Sequence, residues 1–451
     1  MSPSTDCIAA LATPVGTSAI AVIRASGPRV PELVQAIFGP APPPRTAQHA
    51  DYRDLGGTLV DDVLFTWFAA PNSYTGQDAL EISSHGNPYI AQKILEDLLA
   101  RGCRSAEPGE FTQRAFLNGR MDLSQAEAVM DLIQARSERA LLAANQQLRG
   151  SLGRKTSELI ALLVSILAQI EAYIDFPDED LPDENKKTLA EGIEQLLKGT
   201  DQLIATSHYG ELLREGIKTV ILGEPNAGKS SLLNRLVGRE RALVSPEPGT
   251  TRDYLEERII VGPHALRLID TAGFNLSPSP LEQRGIEKTL EQAASADLFL
   301  WVIDATRQLP VLPPAAASHM TPANTVAVYN KIDLPLPATC SPLPQDFPRA
   351  YVSSLTGAGF DALQTLIATL TDSYRVEAGD EVIAINARHA HALRQATQCL
   401  LSAQSMISGQ FPTELVASDL RSALSSLGEI SGKIDNERIL DQLFSSFCIG
   451  K

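Results

Sequence analysis

The spacing of apolar and polar residues changes several times along the chain. Before residue 118, short apolar runs such as Ala19–Arg24 and Val63–Ala69 are typical of strands, and Pro88–Ala100 has the spacing of a helix. Farther on, apolar residues recur three and four positions apart, as on the buried face of a helix in a bundle. The predicted buried positions there are Leu123, Ala126, Met130 and Ile133, then Leu159, Leu163, Ile166, Ile170 and Tyr173.

A second strand-like region interrupts this helical pattern. Lys218–Leu222, Ala265–Ile269 and Thr325–Tyr329 have the length and apolar content of buried strands, and Ser230–Leu236 is expected to be a helix. The helical spacing returns after about residue 380. Because the ends of a compact unit often lie close together, an α/β domain can be inserted into a helical one. The predicted domains are 1–118, 119–215, 216–375 and 376–451.

Composition limits the classes of protein that the chain can belong to. Its 451 residues are 44% hydrophobic and 20% charged, which is ordinary for a globular protein of several domains. No run of apolar residues reaches about 18, so we expect no membrane span. The net charge of −16 argues against a broad nucleic-acid binder, since phosphate contacts need clustered Lys and Arg. An RNA substrate would therefore require a local basic patch or a basic partner.

The N-terminus and the cysteines indicate a reducing compartment. The opening segment Met1–Asp6 has no basic region followed by an apolar stretch, so no secretory signal is expected. The five cysteines form no close pair and no zinc-binding spacing, which fits the cytosol. They are Cys7, Cys103, Cys340, Cys399 and Cys448.

The junction between the strand Lys218–Leu222 and the following helix has the pattern of a phosphate-binding loop. Gly223 and Gly228 permit a tight turn whose N–H groups converge on phosphate oxygens. Lys229 would contact the β- and γ-phosphates, and the Ser230 hydroxyl would bind Mg²⁺. The N-terminus of the helix adds a partial positive charge to this anion site.

Two later segments predict which base is bound. Asn330, Lys331 and Asp333 follow a strand, at the end where open α/β sheets bind ligands. The Asp333 carboxylate accepts hydrogen bonds only, which suits the N–H donors of guanine and leaves polar groups unpaired with adenine. The loop Ser353–Leu355 would offer a backbone N–H to the guanine oxygen. The sequence therefore predicts GTP binding.

The segments between the phosphate loop and the base-reading loops concern hydrolysis. Thr251 is placed to complete the Mg²⁺ shell, Asp270 to hold the metal, and the N–H of Gly273 to contact the γ-phosphate. The next residue is Phe274, an apolar ring where Ras has a glutamine that orients water. Either hydrolysis is very slow or other groups replace the missing ones. The complete predicted GTP set is Asn226, Ala227, Gly228, Lys229, Ser230, Ser231, Ser245, Gly249, Thr250, Thr251, Asp270, Thr271, Ala272, Gly273, Asn330, Lys331, Asp333, Ser353, Ser354 and Leu355.

Four segments outside these motifs identify a family. Ile8–Pro14, Pro108–Asn118, Ile174–Asp178 and Phe447–Lys451 are similar to segments of the MnmE (TrmE) family of tRNA-modification GTPases, and the similarity spans essentially the full chain. The resemblance implies a multidomain protein. Its parts would be an α+β folate-binding domain like the glycine-cleavage T-protein, a discontinuous all-α helical domain, and an inserted α/β Ras-like P-loop GTPase domain.

The resemblance also implies partners and a reaction. Family members are homodimers through the N-terminal domain and work in the cytoplasm with the FAD-dependent protein MnmG. Together they add an aminomethyl-type group to carbon 5 of the wobble uridine of certain tRNAs. A tetrahydrofolate, such as 5-formyl-tetrahydrofolate, supplies the one-carbon unit, and FAD and NADH enter only through the partner.

Particular residues match family positions. The resemblance places K⁺ on Asn226, Ser245, Glu247 and Thr250, where it would supply the charge of an arginine finger, and gives Glu282 the orienting of water. From the residues alone, Asn226 would be a turn residue and Glu282 a solvated acid at a helix start. Matching folate contacts are Arg24, Glu81 and Lys451, together with Arg120, where the family more usually has lysine, and Cys448 is matched as a residue needed for modification.

Two other functions remain open at this stage. One is a ribosome-assembly GTPase, in which nucleotide binding is a timing switch without covalent chemistry. The other is a folate-dependent aminomethyltransferase with a regulatory GTPase, which would act without tRNA. The N-terminal and C-terminal matches disfavour both.

Overall fold

The computed structural model describes residues 6–175, 183–240, 256–270, 293–312, 314–335, 346–374, 383–408, 412–432, 443–444 and 447–450. The chain forms two compact units. The first contains Met1–Met130, Leu148–Ser165 and Arg421–Lys451, and the second contains Asp131–Gln147 and Ile166–Leu420.

The described strands are β1 Ile8–Leu11, β2 Ile20–Ser26, β3 Gln48–Arg53, β4 Leu59–Phe68, β5 Ala79–His85, β6 Arg104–Ser105, β7 Ile217–Leu222, β8 Glu256–Val261, β9 His264–Asp270, β10 Leu298–Asp304, β11 Thr325–Asn330 and β12 Arg349–Tyr351. The described helices are α1 Val30–Phe38, α2 Pro88–Ala100, α3 Glu110–Leu117, α4 Leu123–Gln134, α5 Glu138–Leu148, α6 Ser151–Asp175, α7 Asp183–Ala205, α8 Ser207–Glu215, α9 Lys229–Glu240, α10 Pro314–Ala317, α11 Phe360–Asp372, α12 Ala387–Ser408 and α13 Thr413–Ser431.

The first unit is built on a mixed six-stranded sheet with the strand order β3-β4-β5-β2-β1-β6. Its neighbours pair antiparallel except β1 and β6, which are parallel. The predicted strands at Ala19–Arg24 and Val63–Ala69 correspond to β2 and β4, and the predicted helix is α2. The α+β class predicted for the N-terminal region is therefore confirmed.

Helix α2 packs on this sheet and is fixed at both ends. Asn87 caps it by accepting the N–H of Tyr89 at 2.9 Å, and Pro88 occupies the first turn, where no N–H is needed. Near the other end, buried Asp97 accepts a hydrogen bond from the hydroxyl of buried Tyr52 at 2.8 Å. Burial and this bond raise the pKa of Tyr52, so the phenol stays protonated as a donor.

The second unit contains a six-stranded sheet with the order β12-β11-β10-β7-β9-β8. All its neighbours are parallel except β8, which pairs antiparallel with β9. Strands β10 and β11 are buried along their whole length, as expected for a sheet covered by helices on both faces. The carboxyl ends of β7, β9, β10, β11 and β12 lie along one edge, and the α/β class predicted here is confirmed.

Helices from before and after this sheet pack together in the second unit. The Thr397 hydroxyl on α12 donates to the Thr200 hydroxyl on α7 at 3.0 Å. Arg214, just before β7, makes two 2.9 Å bonds to Asp131 and donates to the backbone carbonyl of Ile385 at 3.2 Å. The segments by which the chain enters and leaves the α/β region are thus joined by one side chain.

The buried stripe predicted for Leu123 to Ile133, which lies on α4, is confirmed at three of its four positions. Leu123, Ala126 and Met130 are buried, whereas Ile133 is 44% exposed. Ile133 lies in the last turn of α4. The helical spacing of apolar residues continues to this turn, but the cluster that buries Leu123, Ala126 and Met130 does not include Ile133. The stripe on α6 includes buried Leu163.

Helix α6 is long and apolar enough to cross a membrane by length and composition, with a mean hydropathy of 1.6 over its best window. The sequence expectation counted only uninterrupted apolar runs. Polar residues interrupt the runs in α6 but leave its average hydropathy high. One such helix is weak evidence, since a core helix also passes the test.

The C-terminal tail packs against the N-terminal segment of the first unit. Phe444 and Phe447 are buried in a cluster with Leu123, Ala126 and Met130. The N–H of Gly109 donates to the carbonyl of Cys448 at 3.3 Å. Gly450 has a φ of +92°, and a Cβ there would lie 3.0 Å from Cα of Ala12 and against the carbonyl of Leu11. This contact admits glycine only.

Replacing Arg214 by alanine should destabilise the second unit. The substitution leaves half-buried Asp131 without its partner and frees the Ile385 carbonyl, at a cost of about 1–2 kcal/mol after allowance for partial exposure. The measurement is the denaturant midpoint of the first unfolding transition. Lys155→Ala, which removes a solvent-exposed pair with Glu158, is the control and should change little. Equal midpoints for wild type and Arg214→Ala would contradict the role of this residue.

Candidate functional site

The predicted phosphate loop joins the end of β7 to the start of α9. Lys229 is only 8% exposed, and its ammonium donates to the carbonyls of Gly223 and Glu224 at 3.1 and 3.0 Å. Gly228 has a φ of +96°, and a Cβ there would collide with the side-chain amide of Asn330. The loop therefore closes around a positive charge at the N-terminus of a helix, which is the arrangement that binds phosphate.

Buried Asn330 connects this loop to the predicted base-reading loop. It ends β11 and is 1% exposed. Its amide nitrogen donates to the carbonyl of Ala227 at 3.0 Å, and its amide oxygen accepts the N–H of Ser354 at 2.9 Å. Three segments that are far apart in sequence are thereby held at one edge of the sheet.

Lys331 is oriented by an acidic residue that sequence analysis did not single out. Asp304, at the end of β10, accepts the Lys331 ammonium at 2.6 Å and the Thr306 hydroxyl at 2.6 Å. Burial opposes ionisation of Asp304, but the hydrogen bonds from Lys331 and Thr306 outweigh it and hold the pKa of the carboxyl below its ordinary value. The carboxylate stays charged near neutral pH. An acidic residue that ends an apolar strand at this edge was the available signal.

Asp333 lies beside the loop that follows β12. Its carboxylate accepts the hydroxyl of Ser353 at 2.5 Å, and that hydroxyl accepts the N–H of Thr356 at 3.1 Å. The acceptor that is expected to read guanine is thus fixed by the same loop that is expected to contact the guanine oxygen. This is a physical link between the two base-reading elements.

The structure brings together the part of the predicted nucleotide site that it describes. Asn226, exposed and with a φ of +64°, Ser230 and Ser231 lie on the phosphate loop and the first turn of α9. Asp270 ends β9 at the same edge of the sheet. The predicted positions outside the described residues are Ser245, Glu247, Gly249, Thr250, Thr251, Thr271, Ala272, Gly273 and Glu282.

The first unit contains a separate pocket around two predicted folate contacts. Arg24 and Glu81 face each other on β2 and β5 and form a hydrogen-bonded ion pair at 2.8 Å. The pocket has a volume of about 210 Å³. Sequence analysis missed its other lining residues, which are Ala25, Phe68, Tyr74, Thr75, Ala79, Leu80 and Phe111. It combines an apolar, aromatic wall with one charged pair.

The remaining predicted residues of the first unit lie near this pocket to different degrees. Arg120 is exposed and does not line the pocket, although its side chain passes beside Gly76, which follows the lining residue Thr75. Cys448 is exposed, and Lys451 lies outside the described residues. The tail reaches β1 next to Ala10, the residue that pairs with Arg24.

Comparisons with known proteins cover the whole chain. The family model described as "GTP-binding protein TrmE N-terminus" matches residues 7–120, and the one described as "MnmE helical domain" matches residues 123–448. A tRNA modification GTPase MnmE from Opitutus terrae is 58% identical over 100% of both chains. Proteins of the same name from Akkermansia muciniphila and Symbiobacterium thermophilum are 46% and 41% identical, over 98% and 99% of each chain respectively.

The exposure of the cysteines predicts an order of chemical labelling. Cys448 is exposed, whereas Cys7 and Cys103 are buried with their sulfur atoms 3.4 Å apart, and their contact together with burial raises the pKa of the Cys7 thiol. Iodoacetamide should therefore label Cys448 in the native protein, and Cys7 and Cys103 only after unfolding. Peptide mass spectrometry measures the order, and labelling of all three at one rate would contradict the burial of Cys7 and Cys103.

Proposed function

The chain belongs to the MnmE family of tRNA modification GTPases, and from this premise we propose that it hydrolyses GTP to drive modification of carbon 5 of the wobble uridine of certain tRNAs. Family membership confirms the resemblance inferred from the sequence. The observation that supports a role in covalent chemistry is that the Cys448 segment packs against Gly109 within the same unit that contains the Arg24–Glu81 pocket.

The phosphate loop fits a nucleoside triphosphate as substrate. The Lys229 ammonium lies inside the loop and would exchange its two carbonyl partners for phosphate oxygens. Ser230, in the first turn of α9, would hold Mg²⁺ together with Thr251, and the metal would offset the charge of the phosphates. Asp333 and the loop Ser353–Leu355 would select guanine.

We further propose that K⁺ activates hydrolysis. Asn226 lies exposed on the phosphate loop in a left-handed conformation, and a side-chain carbonyl there suits a monovalent cation. Ser245, Glu247 and Thr250 would complete its ligands, and the cation would supply positive charge to the transition state. Glu282 would orient the attacking water, because Phe274 has no polar group for this task.

The pocket beside Arg24 is the proposed folate site. Its aromatic wall, formed by Phe68, Tyr74 and Phe111, suits a flat heterocycle, and the Arg24–Glu81 pair offers both donors and acceptors to a polar ring edge. Burial raises the pKa of Tyr74, so its hydroxyl stays neutral beside Thr112. The proposed ligand is 5-formyl-tetrahydrofolate or a related tetrahydrofolate, with Arg120 and Lys451 as further contacts.

The proposed assembly is a cytoplasmic homodimer that works with a flavoprotein of the MnmG type. The flavoprotein would bring FAD and use NADH. Because this chain has a net charge of −16, such a partner is also the proposed source of much of the positive surface that tRNA requires. The boundaries 1–118, 119–215, 216–375 and 376–451 remain the proposed domain division.

Exchange of K⁺ for Na⁺ should slow GTP hydrolysis at least about tenfold, because the smaller ion fits poorly a site built for K⁺ and the transition state loses positive charge. Phosphate release at saturating GTP and constant ionic strength measures the effect. An equally active enzyme in Na⁺ would remove the K⁺ proposal and leave the GTPase assignment in place.

The modification itself is tested by mass spectrometry of nucleosides from total tRNA. Cells without the gene should lose the carbon-5 aminomethyl-type wobble uridine, and the wild-type gene should restore it. Cys448→Ser should fail to restore it although the protein is present and hydrolyses GTP. Unchanged nucleosides in cells without the gene would rule out tRNA modification and favour the ribosome-assembly function.

A further inference from the structure

Arg235 on α9 contacts the base-reading loop from the side of the helix. Its Nε donates to the carbonyl of Ser354 at 2.8 Å, and its Nη2 donates to the carbonyl of Leu355 at 2.6 Å. The guanidinium carbon also lies 5.8 Å from the ring centroid of Phe360, which is fully buried at the start of α11. A half-buried cation is thus held by two successive carbonyls and an aromatic face.

These contacts fix the direction of two peptide groups. In a planar trans peptide the C=O and the N–H point in opposite directions. Where Arg235 holds the Ser354 carbonyl, the N–H of Leu355 must point away from α9. Where it holds the Leu355 carbonyl, the N–H of Thr356 points away in the same manner, and this N–H donates to the hydroxyl of Ser353 at 3.1 Å.

Both fixed peptides lead to groups that are expected to read guanine. The Ser353 hydroxyl that accepts from Thr356 in turn donates to the Asp333 carboxylate at 2.5 Å. The N–H of Ser354 is held by Asn330 at 2.9 Å, so the neighbouring N–H of Leu355 is the group that the loop turns toward a base oxygen. The Arg235 side chain therefore influences both the Asp333 carboxylate and the N–H of Leu355, the two groups that are expected to contact guanine.

We propose that Arg235 is a positioning residue for guanine recognition. It acts through the loop Ser353–Thr356, orienting a backbone N–H toward the guanine oxygen, and it makes no contact with the phosphates. The proposal rests on the guanine specificity proposed above. It predicts that the affinity gained from the guanine oxygen depends on a residue outside the nucleotide-binding motifs.

The test compares GDP with 6-thio-GDP, in which sulfur replaces the guanine oxygen and accepts hydrogen bonds poorly. The full-length protein is used, and dissociation constants are measured by competition in the presence of Mg²⁺. Wild type should prefer GDP by about tenfold, the typical effect of one weakened hydrogen bond in a binding site. Arg235→Ala should weaken GDP binding by about tenfold and 6-thio-GDP binding by less than about threefold, so that the preference nearly disappears.

Two further variants separate positioning from general damage. Arg235→Lys retains one donor and should recover part of the preference for GDP. Arg349→Ala removes an exposed pair with Asp346 on the same unit and should retain the wild-type constants.

Each contrary result has a distinct meaning. A parallel loss of affinity for both nucleotides in Arg235→Ala, or an unchanged affinity for GDP, would overturn the proposal for Arg235. If wild type binds ADP as tightly as GDP, guanine specificity itself is wrong, and the proposal fails with it.

Discussion

The nucleotide site depends on the buried amide of Asn330. Because β7, β9, β10, β11 and β12 of the second unit are parallel, their carboxyl ends meet at one edge, but the loops that leave them need a fixed position relative to one another. The Asn330 side chain fixes this position by donating to the Ala227 carbonyl and accepting the N–H of Ser354. The amide itself is buried, and an unpaired buried polar group costs about 1–3 kcal/mol, so separating the two loops would be unfavourable.

Hydrogen bonds to two carboxylates fix other groups at the same edge. Lys331 is oriented by Asp304, and the Asp333 carboxylate is tied to the following loop by Ser353. On the opposite side of the α/β region, Arg214 joins the segments by which the chain enters and leaves it.

Sequence patterns predicted the parts of the fold and site that depend on local spacing. Strands β2 and β4, helix α2 and the phosphate loop lie where the apolar runs and the two glycines predicted them. The pairing of Arg24 with Glu81 depends on strand register across 57 residues, and the family resemblance indicated the two residues as folate contacts but not their pairing. The contacts of Arg235 and the tail contact at Gly450 depend on tertiary packing and have no local signature, and Asp304 was signalled only by its place at the end of an apolar strand. Ile133 is the opposite case. It continues the helical spacing of apolar residues, which normally indicates a buried face, but its side chain is 44% exposed.

We propose that GTP hydrolysis in the second unit drives one-carbon transfer to tRNA at the pocket of the first. A single-turnover reaction with the purified chain, its flavoprotein partner, tRNA and a tetrahydrofolate labelled in its one-carbon unit tests this most directly. Label in the wobble uridine is expected with GTP, and little or none with a non-hydrolysable GTP analogue. Equal labelling with the analogue, or with no nucleotide, would contradict it.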